Sequence, residues 1–169
     1  MQSRGKSLDL QIPRRGLRAF AAGLIGLCGA YQVGLGIYFI ALRPPLLPED
    51  LRFFGVGREA LRMVLPRLEP WLHLVFTVLG GQMAAVGALV FAASIRLAFR
   101  GVSAGRELVP LGIAGALSVG LMSAMNFALG SDFRWLLLVP VGVLALGLIL
   151  ALSGHSGVSG AASTDDKHA

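Results

Sequence analysis

The sequence has little charge and one cysteine. Of its 169 residues, 14% are charged and 55% are hydrophobic, and its mean hydropathy is +0.73. A soluble domain carries roughly 25% charged residues. Because so few polar side chains could not cover a soluble surface, we expect an integral membrane protein. The single cysteine, Cys28, excludes an intramolecular disulfide and any CxxC redox or zinc motif.

The chain also lacks the motifs that carry catalysis. It contains no nucleophile elbow, phosphate-binding loop, HExxH pair or paired-carboxylate motif. No acidic residue lies inside its long apolar runs, where proton relays place them. These absences disfavour an enzyme and an ion-coupled transporter, and they predict neither a cofactor nor a metal site. The pI near 10.7 does not indicate nucleic-acid binding, because the basic residues flank apolar runs.

Four long apolar runs dominate what is present. They cover residues 17–42, 71–99, 108–129 and 135–153, and a helix that spans a bilayer needs about 20 residues. None of them alternates polar and apolar side chains with the period of two that a barrel strand requires. The sequence therefore predicts an all-α fold, an integral membrane four-helix bundle in one domain over residues 17–153.

Basic residues predict the orientation of this bundle. Five of them lie in the N-terminal arm, residues 1–16, or directly after it: Arg4, Lys6, Arg14, Arg15 and Arg18. Because basic residues concentrate on the cytoplasmic side, we expect both termini in the cytoplasm. The bias toward Arg, Ala, Gly and Leu indicates a bacterial inner (plasma) membrane. The Gly/Ser/Ala-rich tail, residues 154–169, has too few apolar side chains to fold and is predicted to be disordered.

The most charged segment lies between the first two runs, at residues 43–70. Gly55 separates two short amphipathic stretches, "PEDLRFF" and "GREALRMVL", and prolines flank them on both sides. Neither stretch is long enough to form a stable helix alone in water. Five bases and four acids leave the segment nearly neutral, so binding to anionic lipid does not explain it. We expect an ordered amphipathic cap on the outer side of the bundle, which either covers a ligand or hides helix ends.

Polar residues near the ends and middles of the runs are the candidate site residues. The predicted topology places five of them at the outer end, where they would form a vestibule: Arg43, His73, Asn126, Asp132 and Arg134. Gln32 and Gln82 lie at similar depth in an antiparallel hairpin of the first two spans. They are predicted to form a hydrogen-bonded pair, or to bond Tyr31. A structural role and a polar spot in a lipophilic pocket both remain open for this pair.

Small residues recur at every fourth position in three of the runs. The rows are Ala22, Gly26, Ala30 and Gly34; Gly80, Ala84, Ala88 and Ala92; and Gly112, Ala116, Gly120, Ala124 and Ala128. Such rows let helix backbones approach closely in lipid, where no hydrophobic effect drives helices together. They predict close packing within the bundle or, alternatively, a homodimer seam or a contact with another membrane protein.

The order of the segments and one motif resemble a known family. A basic arm, a Gly-rich first span and an amphipathic outer segment precede a second span that contains "LGGQMAAVGALVF", with its glycine pair Gly80–Gly81. This layout resembles the DoxX-like group of small bacterial four-span membrane proteins. The resemblance implies a four-span fold and, as for some members, a link to quinone-dependent redox chemistry or redox-homeostasis complexes. DoxX-like second spans often begin with an acidic residue, where this chain has His73.

Two functions of different classes fit these features. The first is a non-enzymatic accessory or assembly subunit of a membrane complex, because catalytic motifs are missing and small-residue rows are present. The second is a lipophile- or quinone-binding membrane protein linked to redox chemistry, with the outer segment as its lid. In both, the lipid bilayer surrounds the chain and nucleic acid is not a partner.

Overall fold

The computed structural model describes residues 11–100 and 104–153, and the side chains of residues 15–99 and 108–153. Within these residues every regular element is helical, which confirms the predicted all-α class. In chain order the elements are α1 (Gln11–Ala41), α2 (Pro48–Phe54), α3 (Arg58–Val64), α4 (Leu68–Arg100), α5 (Ala104–Gly115), a π-helical turn (Ala116–Gly120), α6 (Leu121–Ala128) and α7 (Leu138–Ser153).

Three segments among the described residues are long and apolar enough to cross a membrane: Arg15–Ala41, Leu68–Phe99 and Leu108–Ala128. They match the first three predicted spans, and they indicate a multi-pass membrane protein. The fourth apolar helix, α7, has 16 residues. At 1.5 Å per residue it is about 24 Å long, which is shorter than the roughly 30 Å of a hydrocarbon core.

The fourth apolar run becomes helical later than predicted. Turns occupy residues 132–137, so α7 begins at Leu138 and not at Trp135. Pro140 explains the delay because it has no N–H to donate to the carbonyl of Leu136. That carbonyl instead accepts a shorter-range bond from the N–H of Val139.

The helices α1 and α4 form an antiparallel hairpin whose backbones nearly touch. Gly36 faces Gly80, and Gly29 faces Gly87. A Cβ atom added to Gly36 would lie 2.5 Å from the carbonyl oxygen of Gly80, and one added to Gly29 would lie 2.8 Å from that of Gly87. Any side chain at these positions would push the backbones apart. Close contact of this kind stabilises helix pairs in lipid.

The helix α1 is central to the fold. It packs on α4 along one side and on α7 along another, and Ala21, Ile25 and Cys28 are almost fully buried. The third apolar segment, α5–α6, packs on α7 more than on α4. Grooves therefore remain between α4 and the third segment.

The outer segment consists of two unequal parts. The helix α2 lies against the outer end of the bundle with Glu49 buried, and Leu46 is buried in the link that precedes it. Gly55 ends α2 in a left-handed conformation, with φ at 69°. The helix α3 has no buried residue, and Met63 and Val64 are 80% and 76% exposed. The part of the cap that contacts the bundle is therefore α2, whereas apolar side chains of α3 face outward.

The N-terminal boundary of the first helix also differs from the predicted one. The helix α1 begins at Gln11, so residues 11–16 of the predicted arm belong to the helix that continues into the first span. The remainder of that arm, residues 1–10, and the predicted tail, residues 154–169, lie outside the described residues.

Candidate functional site

A cavity of about 330 Å³, the outer cavity, lies between α1, α2, α6 and the turns that precede α7. This volume falls within the range of roughly 300–1,000 Å³ that is usual for ligand sites. Its polar lining residues are Arg43, Glu49, Asp50, Asn126 and Ser131, and its aromatic and aliphatic ones are Tyr31, Leu35, Tyr38, Phe39, Leu47, Met122, Leu129, Phe133, Leu136 and Leu137.

The first turn of α2 places two carboxylates at this cavity. Pro48 opens the helix, where its fixed φ is favourable and its missing N–H is not needed. The Oδ2 atom of Asp50 accepts a hydrogen bond of 2.9 Å from the backbone N–H of Leu47, which satisfies a donor at the start of the helix. Glu49 then points inward and is 7% exposed.

Arg43 bounds the outer cavity at the end of α1. Its Cζ atom lies 3.6 Å from the centre of the Phe76 ring and 5.2 Å from that of Phe39. Its guanidinium donates to the carbonyl of Pro44 at 3.1 Å and pairs with Asp50 at 3.7 Å. Burial lowers the pKa of Arg43, while the charge of Asp50 raises it. The side chain remains a fixed positive charge, because arginine starts from so high a pKa.

Glu49 is the cavity acid that forms no ion pair among the described residues, although its charge, like that of Asp50, raises the pKa of Arg43. Its Oε1 atom accepts a hydrogen bond of 3.4 Å from the hydroxyl of Ser131, which is long for this pair of atoms. It forms no ion pair with any described side chain. The outer cavity thus contains one base and two acids, and Glu49 can accept further hydrogen bonds.

The structure brings together two of the five predicted vestibule residues. Arg43 and Asn126 both line the outer cavity, and the Nδ2 atom of Asn126 donates to the carbonyl of Met122 at 2.9 Å. Asp132 lies outside the cavity, where its exposed carboxylate pairs with Arg52 at 2.9 Å.

Arg134 and His73 do not line the outer cavity. Arg134 lies in the turns after α6, and its backbone N–H donates to the carbonyl of Ser131. His73 is exposed near the outer end of α4, and its carbonyl accepts a hydrogen bond of 2.8 Å from the hydroxyl of Thr77. The predicted vestibule is therefore smaller than expected and is completed by other residues.

Glu49, Asp50 and Ser131 are the polar cavity residues that sequence reasoning missed. Acids in the first turn of a short helix are readily explained by the helix dipole. That explanation does not predict that their side chains point into a cavity. The one feature of the sequence that could have revealed Glu49 and Asp50 is the short link between Ala41 and Pro48. It keeps the first turn of α2 beside the end of α1.

The two glutamines of the predicted pair do not meet. Gln32 is 1% exposed, and its Nε2 atom donates to the sulfur of Cys28 across 3.8 Å. Gln82 is exposed on α4. The cause is the position of each glutamine around its helix. Gln32 lies opposite Gly87 of α4. Gln82 is five residues before that glycine and therefore roughly 140° away around α4, so it does not face α1. The Oε1 atom of Gln32 has no hydrogen-bond partner.

The outer cavity offers ionic contacts, hydrogen-bond acceptors and an apolar wall, which together suit the binding of an amphipathic molecule. No group of three or more His, Cys, Asp or Glu side chains in residues 15–99 and 108–153 is placed to hold a metal ion. No family model, curated protein or solved structure matches this chain.

Proposed function

We propose that this chain is a membrane protein that binds an amphipathic molecule in the outer cavity, with α2 as its lid. The observation that carries the proposal is the division of the cavity into an ionic end and an apolar remainder. Arg43, Glu49 and Asp50 form the ionic end, and aromatic and aliphatic side chains form most of the other walls. Sites for lipophilic molecules combine a mostly apolar wall with a few polar groups that orient the ligand.

The charges favour a head group that donates hydrogen bonds or carries a positive charge. Arg43 is already paired with Asp50, 3.7 Å away, so Glu49 is the acceptor that is left over. An anionic head group would meet an excess of negative charge in a partly buried site, where Coulomb repulsion is stronger than in water. The ligand class is therefore an amphiphile with an amine or hydroxyl head.

In this proposal α1, α4, α5–α6 and α7 form a four-helix bundle in a bacterial inner membrane. The short helix α7 would be accommodated by local thinning of the bilayer and by anchoring of Trp135 at the interface. The basic arm supports a cytoplasmic location for both termini. Membership of the DoxX-like group stays a prediction.

Native mass spectrometry of the protein extracted in mild detergent tests ligand binding. We expect a lipid-sized adduct on the wild-type protein and its loss in Asn126→Phe, because the added ring would fill the outer cavity. The variant Ala124→Phe is the matched control, since Ala124 is an exposed residue of α6 that does not line the cavity. A wild-type protein without an adduct, or equal adducts on both variants, would contradict the proposal.

The helix α4 favours a second function, that of an accessory or assembly subunit. Of its most apolar window of 18 residues, 17% is buried within the chain. Gln82 is exposed inside this span, and an amide that faces hydrocarbon without a partner is unfavourable. A helix of another membrane protein would cover this face and bond the amide. We expect Gln82→Leu to weaken the association with such a partner by about 0.6–2 kcal/mol, and a monodisperse particle without any partner would exclude this function.

A further inference from the structure

A second cavity, of about 400 Å³, lies nearer the middle of α1 and α4 and is here named the membrane groove. Gln32 and Phe39 of α1 line it, together with Leu79 and Met83 of α4 and residues of the π-helical turn and α6. Phe39 and Met122 line both this groove and the outer cavity, so the two spaces are neighbours.

The membrane groove is open at its side and has adaptable walls. Leu117 is 67% exposed, Leu121 is 50% exposed and Met125 is 52% exposed, although all three line the groove. Met83 and Met122 are further lining residues, and methionine side chains adjust readily to the shape of a guest. The π-helical turn at Ala116–Gly120 forms part of the same wall, and such turns are frequent at functional sites.

Gln32 contributes a buried side-chain amide to the groove, and the oxygen of that amide has no hydrogen-bond partner. The side chain is 1% exposed. Cys28 donates its S–H to the carbonyl of Pro140 across 3.8 Å, and its sulfur accepts from the Nε2 atom of Gln32 across 3.8 Å. This chain of bonds orients the amide, because a carbonyl turned toward Cys28 would face a sulfur lone pair. The atom left without a partner is therefore the acceptor Oε1. It is closed to water in the free protein, so a guest reaches it once the adjustable methionine side chains of the wall shift.

We propose that the membrane groove binds an apolar molecule with one hydroxyl group, whose O–H donates a hydrogen bond to Oε1 of Gln32. Buried acceptors almost always have a partner, and the hydrocarbon of a bilayer holds no water that could serve as one. An ether or ester of the same shape has no proton to donate, so it would place oxygen against oxygen. This inference goes beyond the proposed function, since it requires no ligand in the outer cavity.

Photolabelling of the full-length protein in lipid nanodiscs tests the inference. The probes are a long-chain primary alcohol with a diazirine in its chain and the methyl ether of that alcohol, and mass spectrometry locates the labelled peptides. On the wild-type protein we expect the alcohol to label peptides of α1 or α6 with a half-saturating concentration about tenfold lower than that of the ether, as loss of a hydrogen bond to a buried acceptor implies.

Two variants separate the hydrogen bond from the shape of the groove. Gln32→Leu removes the acceptor at nearly constant volume, so it should raise the half-saturating concentration of the alcohol about tenfold. That of the ether should not rise, because the oxygen that opposed it is gone. Leu121→Trp narrows the groove and keeps Gln32, so it should weaken labelling by both probes. Retained labelling by the ether shows that Gln32→Leu is folded.

Other outcomes of the same experiment overturn the inference. Equal half-saturation by alcohol and ether on the wild-type protein would exclude a hydroxyl contact, and that comparison depends on no variant. A preference for the ether would likewise exclude a hydroxyl that donates to Gln32. Asn126→Phe, which fills the outer cavity, should leave labelling of the groove by the alcohol unchanged. Failure of the proposed function is therefore distinguishable from failure of this inference.

Discussion

Arg43 joins the cap to the apolar helices. Its guanidinium stacks on Phe76 of α4 and pairs with Asp50 of α2. A lysine keeps the charge but lacks the planar group that makes both contacts at once. We expect Arg43→Lys to lower the free energy of unfolding by about 1–2 kcal/mol, measured by thermal unfolding in detergent. Arg67→Lys is the control, because Arg67 is exposed and forms no described ion pair; equal losses in the two variants would refute this role of Arg43.

For Gln32 we expect the opposite effect on stability: its replacement by an apolar residue should stabilise the protein. A buried acceptor without a partner lowers stability by about 1–3 kcal/mol, and Oε1 of Gln32 is such an acceptor in the free protein. Gln32→Leu should therefore raise the melting temperature in detergent, even though it weakens binding in the membrane groove. Gln32→Glu should lower it, because the variant buries a carboxylate at the same place. A lower melting temperature for Gln32→Leu would show that the amide is satisfied.

At the level of helices, the contact between α1 and α4 depends on glycine at particular positions. A Cβ atom on Gly36 would lie 2.5 Å from the carbonyl oxygen of Gly80, whereas one on Gly34 would meet nothing within 4 Å. We expect Gly36→Ala to lower the free energy of unfolding by about 1–3 kcal/mol, because the backbones must separate. Gly34→Ala should be neutral or stabilising by up to about 1 kcal/mol, through helix propensity alone.

Circular dichroism during heating measures both glycine variants under one condition. The two positions are on the same helix and receive the same methyl group, so propensity and detergent affect them alike. The difference between their melting temperatures reports the helix contact. If Gly36→Ala melted no lower than Gly34→Ala, the close approach of α1 and α4 would be wrong.

The sequence revealed that helices pack closely but not which positions touch. The predicted row on α4 contained Gly80, Ala84, Ala88 and Ala92. Gly80 and Ala84 lie against Gly36, whereas Ala88 and Ala92 are exposed and Gly87, which is not in the row, is buried. Each step of four residues moves about 40° around the helix beyond a full turn. A row of several such steps therefore moves off the face that contacts the neighbouring helix. The observed pairs repeat every seven residues, which keeps them on one face.

The helical class and three of the membrane-crossing segments were predictable because length and hydropathy are local properties of the chain. The outer cavity was not, since it depends on contacts between distant residues. Glu49 bonds Ser131 across 82 positions in the sequence, and no local pattern encodes that contact. The membrane groove likewise depends on which way each glutamine points from its helix. Gln32 is buried, whereas Gln82 is exposed.

For the whole molecule, five of the seven described aromatic side chains that are more than half exposed lie at the end that carries the cap, and the other two, Phe20 and Phe99, lie toward the opposite end. Phe53, Phe54, Trp71, Phe133 and Trp135 are each more than half exposed, and they come from α2, the start of α4 and the turns before α7. Aromatic residues of this kind concentrate where a membrane meets water. In that placement the outer cavity lies at the level of lipid head groups and the membrane groove lies within the hydrocarbon. The ionic groups of the outer cavity and the single amide of the groove match these two environments.

The number of membrane crossings decides where Ser153, the last residue of α7, lies relative to the cap. With a cytoplasmic N-terminus, four crossings place Ser153 in the cytoplasm, whereas three crossings leave it on the outer side with Met63 of α3. We expect a membrane-impermeant maleimide to label Met63→Cys in spheroplasts and to label Ser153→Cys only after permeabilisation. Cys28 does not interfere, because it is 1% exposed. Labelling of both variants from outside would show that α7 does not cross the membrane, and labelling of Ser153→Cys alone would reverse the proposed orientation.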